Sequence, residues 1–151
     1  MDSLRIDNGT KKIEVNGAGE YIEFSIANND FFRAFSELLQ WFDGQEQRQD
    51  IKDMEKRQEE VVPEDGDKIN YEALNGVLDI REKISKEACE KIDNIFGTEA
   101  SRKIFGSIVP DMYMIADFFE QITPLIEKYA KERNQTINKK YSKNRKGAKS
   151  R

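Results

Sequence analysis

Most proton-transfer chemistry near neutral pH relies on histidine, and this sequence contains none. What remains is one thiol, Cys89, and an abundance of carboxylates. Cys89 sits in a charged, helix-like run with no second cysteine at metal-ligand spacing, so it forms no intramolecular disulfide and has no sequence neighbour that marks it as a nucleophile. The acidic cluster in "PEDGDKIN" superficially suits calcium but lacks the ligand spacing and terminal glutamate of a calcium loop. No Gly-x-Ser-x-Gly, Walker loop or dinucleotide fingerprint occurs. The expectation is a non-enzymatic protein with no catalytic residue, no cofactor and no metal, its carboxylates lining solvated helix faces.

Charge is the sharper feature. Residues 131–151 carry nine basic side chains against Glu132, a net +8, which leaves −12 on residues 1–130. Lys139, Lys140, Lys143, Arg145 and Lys146 form the centre of a basic, flexible tail suited to weak contact with a polyanion or an acidic partner, and Tyr141 is its one aromatic able to stack on a base. A solvating tail, or one that neutralises the acidic body of another copy, is the simpler reading. No apolar run reaches the length of a membrane span and the first residues lack a signal-peptide pattern, so a cytoplasmic protein without membrane contact is expected.

The elements that carry these residues follow from periodicity. In "LRIDNGTKKIEVNGAGEYIEFSI", Ile13 and Val15 alternate with Glu14, and Ile22, Phe24 and Ile26 alternate with Glu23 and Ser25, while Asp7-Asn8-Gly9 and Asn16-Gly17 supply turns. Residues 1–28 therefore read as a small antiparallel meander of three strands, which needs a helix laid across its apolar face. Asn29 or Asp30 caps that helix, Phe31, Phe35, Leu38, Leu39 and Phe42 form its stripe, Phe32 and Trp41 add a second core contact, and Gly44 ends it.

Residues 45–68 form a charged arm or linker, helical with a thin apolar seam. Helical spacing resumes from Ile69 to Phe96, then in a short helix capped by Thr98, then in a long apolar helix entered through Pro110 and Asp111 and kinked or broken near Gln121 by Pro124. The fold class is α+β: the N-terminal β-meander packed on a mostly helical domain at residues 29–130, followed by the disordered basic tail at 131–151.

In "IFGTEASRKIFG" a Phe-Gly pair occurs twice. Gly97 and Gly106 each fall just past a helical pattern, where a left-handed residue closes the last turn at least cost, while Phe96 and Phe105 anchor those helix ends in the core.

These stretches together, "IDNGTKKIEVN", "GEYIEFSI", "DFFRAFSELL" and "IFGTEASRKIFGSIVPDMYMIADFFEQITPLIEKYAKERN" with a lysine-rich end, resemble tail assembly chaperones encoded by phages and prophages of Gram-positive bacteria. The Phe-Gly, Pro and Phe-Phe spacing between 96 and 124 carries most of the resemblance, and the charged stretch 45–68 has no counterpart in it. The resemblance implies a protein that binds the long helical tape-measure protein and keeps it soluble until tail-tube subunits polymerise around it, and that is absent from the finished virion. It also implies a homo-oligomer and, in many phages, a frameshifted longer form, for which Lys139-Lys140 suits a slippery codon run. Phe118, Phe119, Ile122, Leu125 and Ile126 are the candidate client-binding residues, although the same side chains equally suit the protein's own core. Two other classes stay open: a nucleic-acid-binding regulator that uses the basic tail, and a structural head-tail or tail component of the virion.

Overall fold

The computed structural model describes residues 1–151 apart from 64, 65, 67, 150 and 151, and apart from the side chains of residues 143–149. The N-terminal sheet has two strands where three are expected from the alternation. Strands β1 (Thr10–Glu14) and β2 (Tyr21–Ser25) pair antiparallel, with Ile13 opposite Ile22 and Lys11 opposite Phe24. Residues 1–9 form no strand, and the reason lies at the turn that was expected to make a hairpin. Asp7 Oδ1 accepts the Gly9 N–H at 3.0 Å, Asn8 Oδ1 accepts the Thr10 N–H at 3.1 Å, and Gly9 adopts a φ of +73°. These local bonds turn the chain away from β1 and deliver Asp7 to Arg133, 3.1 Å away.

Helix α1 (Asn29–Asp43) crosses the apolar face of the hairpin. Its cap is Asn28, whose side chain accepts the Asp30 N–H at 2.9 Å, and not Asn29 or Asp30 as expected. Phe31, Phe35 and Leu38 are buried, and Phe32, Leu39, Trp41 and Phe42 pack at the margin of the same core. A single 3-10 turn (Gln45–Gln47) leads to α2 (Gln49–Val61).

The charged stretch forms a helical hairpin in which α2 packs antiparallel on the first half of α3 (Tyr71–Phe96). Arg48 donates to Glu87 at 2.7 Å at one end, Arg81 to Gln58 at 3.2 Å in the middle, and the Asn70 N–H to the Val61 carbonyl at 2.8 Å at the other end. Ile51, Ala73, Val77 and Ile84 are buried along this hairpin, apart from the main core cluster. The Arg57 side chain lies against Gly76: a Cβ there would stand 2.7 Å from its guanidinium.

Two helices complete the chain, α4 (Ala100–Phe105) and α5 (Met112–Lys149). Asp111 Oδ1 accepts the Met114 N–H at 2.8 Å and so caps α5 directly after the buried Pro110. The expected break near Gln121 does not occur, since α5 stays helical on both sides of Pro124. Pro124 and Glu120 both face solvent, where water can take the carbonyl that the proline leaves without a donor. Residues 131–149, expected as a flexible tail, continue α5 as helix, so that α5 extends about 57 Å.

The core is largely aromatic. The ring of Phe96 meets Phe24, Phe31, Phe35 and Phe118 edge-on at centroid separations of 5.8, 5.8, 6.2 and 5.8 Å. One side chain thereby joins β2, α1, α3 and α5, each T-shaped contact adding roughly 0.5–1.5 kcal/mol to what burial supplies.

Candidate functional site

Beside the outer edge of β1 lies a cleft of about 290 Å³ between that strand, α4 and α5. Its walls are Ile13 and Val15 from β1 and the residue after it, Ile104 from α4, and Tyr113, Met114 and Leu125 from α5, with Glu14, Asp117 and Gln121 at its polar margin. The alternation of β1 places Ile13 and Val15 on the core side of the sheet, but β1 is an edge strand, so both remain half-buried.

Two ties hold α4 against the hairpin turn and so set the width of the cleft. Asn16 Oδ1 accepts the N–H of Ala18 at 2.9 Å and of Glu20 at 3.3 Å, and its Nδ2 donates to the Lys103 carbonyl at 3.0 Å. Arg102 reaches Glu20 at 2.8 Å, and its hydrogen bond and charge hold that carboxyl below the usual carboxylate range against the effect of burial.

Of the five residues singled out for client binding, Phe118, Phe119, Ile122 and Ile126 are buried in the protein's own core, and Phe119 packs edge-on against Phe42 at 5.0 Å. Phe118, Ile122 and Leu125 line the cleft, and of these Leu125 is half-buried while Phe118 and Ile122 reach it only from the core. The stripe on α5 was legible as an apolar stripe, but its burial needed partners from β2, α1 and α3. Sequence reasoning missed Ile13, Val15, Ile104, Tyr113 and Met114 as parts of one site. The one available signal was Tyr113, an aromatic that falls out of phase with the α5 stripe and that the structure leaves 79% exposed.

The helix ends take the expected positions with one refinement. Phe96, Phe105 and Pro110 are buried, and Gly97 and Gly106 have φ values of +109° and +83°. Their ψ values of 160° and −163° put them outside the left-handed helical region, in a conformation that essentially only glycine adopts. Thr98 is not the cap of α4; Glu99 occupies that position, with φ of 67° and no capping bond from its own side chain.

Lys139 and Lys140 are exposed on the outer part of α5, while the side chains of Lys143, Arg145 and Lys146 lie outside the described residues. Among the described residues no group of three or more cysteine or acidic side chains is placed to hold a metal ion, and Asp65 and Asp67 of the acidic cluster lie outside the description. Cys89 is half-buried, and burial together with the charge of Asp93 raises its thiol above the ordinary range despite a hydrogen bond with Ser101. The thiol form, not the nucleophilic thiolate, is therefore favoured. Among the described residues no helix is long and apolar enough to cross a membrane.

What the site offers is shape and apolar surface with a free strand edge. No curated protein and no solved structure matches the chain. Residues 18–151 match the model of the family described as "Family of unknown function (DUF6673)", and the chain belongs to that family.

Proposed function

We propose that the chain is a non-enzymatic phage tail assembly chaperone, acting in the host cytoplasm, that binds the tape-measure protein and keeps it soluble for tail-tube polymerisation. The observation that carries this reading is the open cleft with apolar walls: Leu125, Met114 and Tyr113 line it, and Tyr113 is 79% exposed. A tape-measure helix waiting for its tube exposes apolar stripes that associate indiscriminately unless covered, and a groove with apolar walls is what covers them. Client contact thus falls to Leu125, Met114 and Tyr113. The buried Phe118 and Ile122 form its floor, and Phe119 and Ile126 belong to the core.

Co-expression with a tape-measure fragment tests this. The soluble yield of the fragment should rise several-fold, and the double variant Leu125→Asp, Tyr113→Asp should abolish the rise while circular dichroism stays unchanged. A folded wild-type chain that leaves the fragment insoluble overturns the reading. Retention of the protein in purified virions would favour a structural tail component, and salt-sensitive DNA binding lost on deleting residues 135–151 would favour a nucleic-acid-binding regulator.

A further inference from the structure

The free edge of β1 and the N-terminal arm complement each other in a way that one copy of the chain cannot satisfy. Val15 and Glu20 share a backbone bond, as do Gly9 and Ile26, so the pairs between β1 and β2 that exchange hydrogen bonds lie at odd-numbered positions of β1. The N–H and C=O groups of Lys12 and Glu14 therefore point outward, away from β2, and among the described residues they have no hydrogen-bond partner. The arm ahead of β1, "SLRID", has the period-two alternation of a strand, yet Leu4 and Ile6 are 90% and 81% exposed.

We propose that residues 4–7 of a second copy add to this edge as a third strand, antiparallel, with Leu4 opposite Val15, Arg5 opposite Glu14, Ile6 opposite Ile13 and Asp7 opposite Lys12. Both apolar residues of the arm then cover the cleft wall, and both charges meet an opposite charge on the solvent face. Other registers lose one or the other. A slip of one residue turns Leu4 and Ile6 to solvent. A slip of two sets Arg5 against Lys12 or Asp7 against Glu14, and the parallel arrangement that retains Arg5 opposite Glu14 leaves Asp7 opposite Asn16.

The chain's own arm cannot take this place. Pairing Asp7 with Lys12 in the same molecule would make residues 8–11 a hairpin loop, whereas Gly9 and Lys11 are already paired with Ile26 and Phe24 of the sheet. Gly9 also directs the arm away: with φ of +73°, a Cβ there would stand 2.9 Å from the Ala27 nitrogen. Exchange costs the contacts of Arg133 with the Asp7 carboxylate and carbonyl, and an ion pair to Lys12 replaces the first of them. Each copy has one arm and one edge, so the contact closes as a reciprocal pair or runs on head to tail. Under the chaperone reading a client competes with this arm for the cleft; the inference itself stands without that reading, and its tests contain no client.

Light scattering on the full chain should give at least twice the mass of one chain. Leu4→Asp, Ile6→Asp, which alters only exposed residues, and deletion of residues 1–8 should each return a single-chain mass with unchanged circular dichroism. A synthetic peptide of residues 1–8 should bind the deletion variant and shift the amide resonances of Lys12, Ile13, Glu14 and Val15. Lys12→Asp should weaken that binding at least several-fold, and a peptide carrying Asp7→Lys should restore it. A full chain of single-chain mass, an oligomer indifferent to the arm variants, or a peptide that perturbs residues elsewhere overturns the proposal.

Discussion

The carboxylate of Asp93, near the end of α3, accepts the backbone N–H of Ser101 in the first turn of α4 at 2.7 Å. One helix thus caps the next, supplying the bond that Glu99 at the cap position does not make. Asp93→Ala should lower stability by about 1 kcal/mol in urea unfolding, and Asp93→Asn, which keeps an acceptor, by less. Equal losses for the two variants would show that charge, not capping, is what matters there.

Gly97 and Gly106 have open space where a Cβ would stand, so any penalty for alanine comes from the backbone alone. With φ of +109° and +83°, Gly97→Ala and Gly106→Ala should each cost roughly 1–3 kcal/mol. Gly17, also with open space but without positive φ, is the control, and Gly17→Ala should stay within about 0.5 kcal/mol of wild type. Thermal or urea unfolding of the three variants checks the contrast.

Phe96→Ala removes the ring that four other phenylalanines share, and a loss of about 3–5 kcal/mol is expected. Phe119→Ala leaves that set of contacts intact, and should be the milder of the two by equilibrium denaturation.

The α2–α3 hairpin should loosen in acid. Burial alone would raise the Asp50 carboxyl, but its hydrogen bond to Arg48 at 2.8 Å and the Arg48 charge outweigh burial and lower it. A carboxyl depressed in the folded state contributes stability that is fully present above its unfolded value, near pH 4, and that fades as pH falls through the folded one. Protection of the α2 amides from hydrogen exchange, taken relative to the intrinsic rate at each pH, should fall below about pH 4 in the wild type. In Asp50→Asn the same amides should be less protected at neutral pH, with less further loss of protection on acidification.

Alternation in Ile22, Phe24 and Ile26, the α1 stripe, and the glycines after Phe96 and Phe105 were all legible because each is a local periodicity or a backbone requirement of one residue. The third strand was misread for a physical reason: "LRID" has strand periodicity, but Asp7, Asn8 and Gly9 satisfy their own neighbours and turn the arm away from β1. Pro124 likewise read as a kink or a break, and its place on the solvated side of α5 lets the helix continue without the break.

The sequence by itself determined the α+β class, the glycines that end α3 and α4 and the absence of histidine chemistry, since these depend on residue type and on spacing within a few turns of chain. Only the tertiary structure decided that Phe118, Phe119, Ile122 and Ile126 are core, that Leu125 with Ile13, Val15 and Tyr113 borders an open cleft, and that the β1 edge is unpaired. Burial belongs to what the rest of the chain lays against a stripe. An apolar stripe looks the same in sequence whether another element covers it or leaves it for a partner.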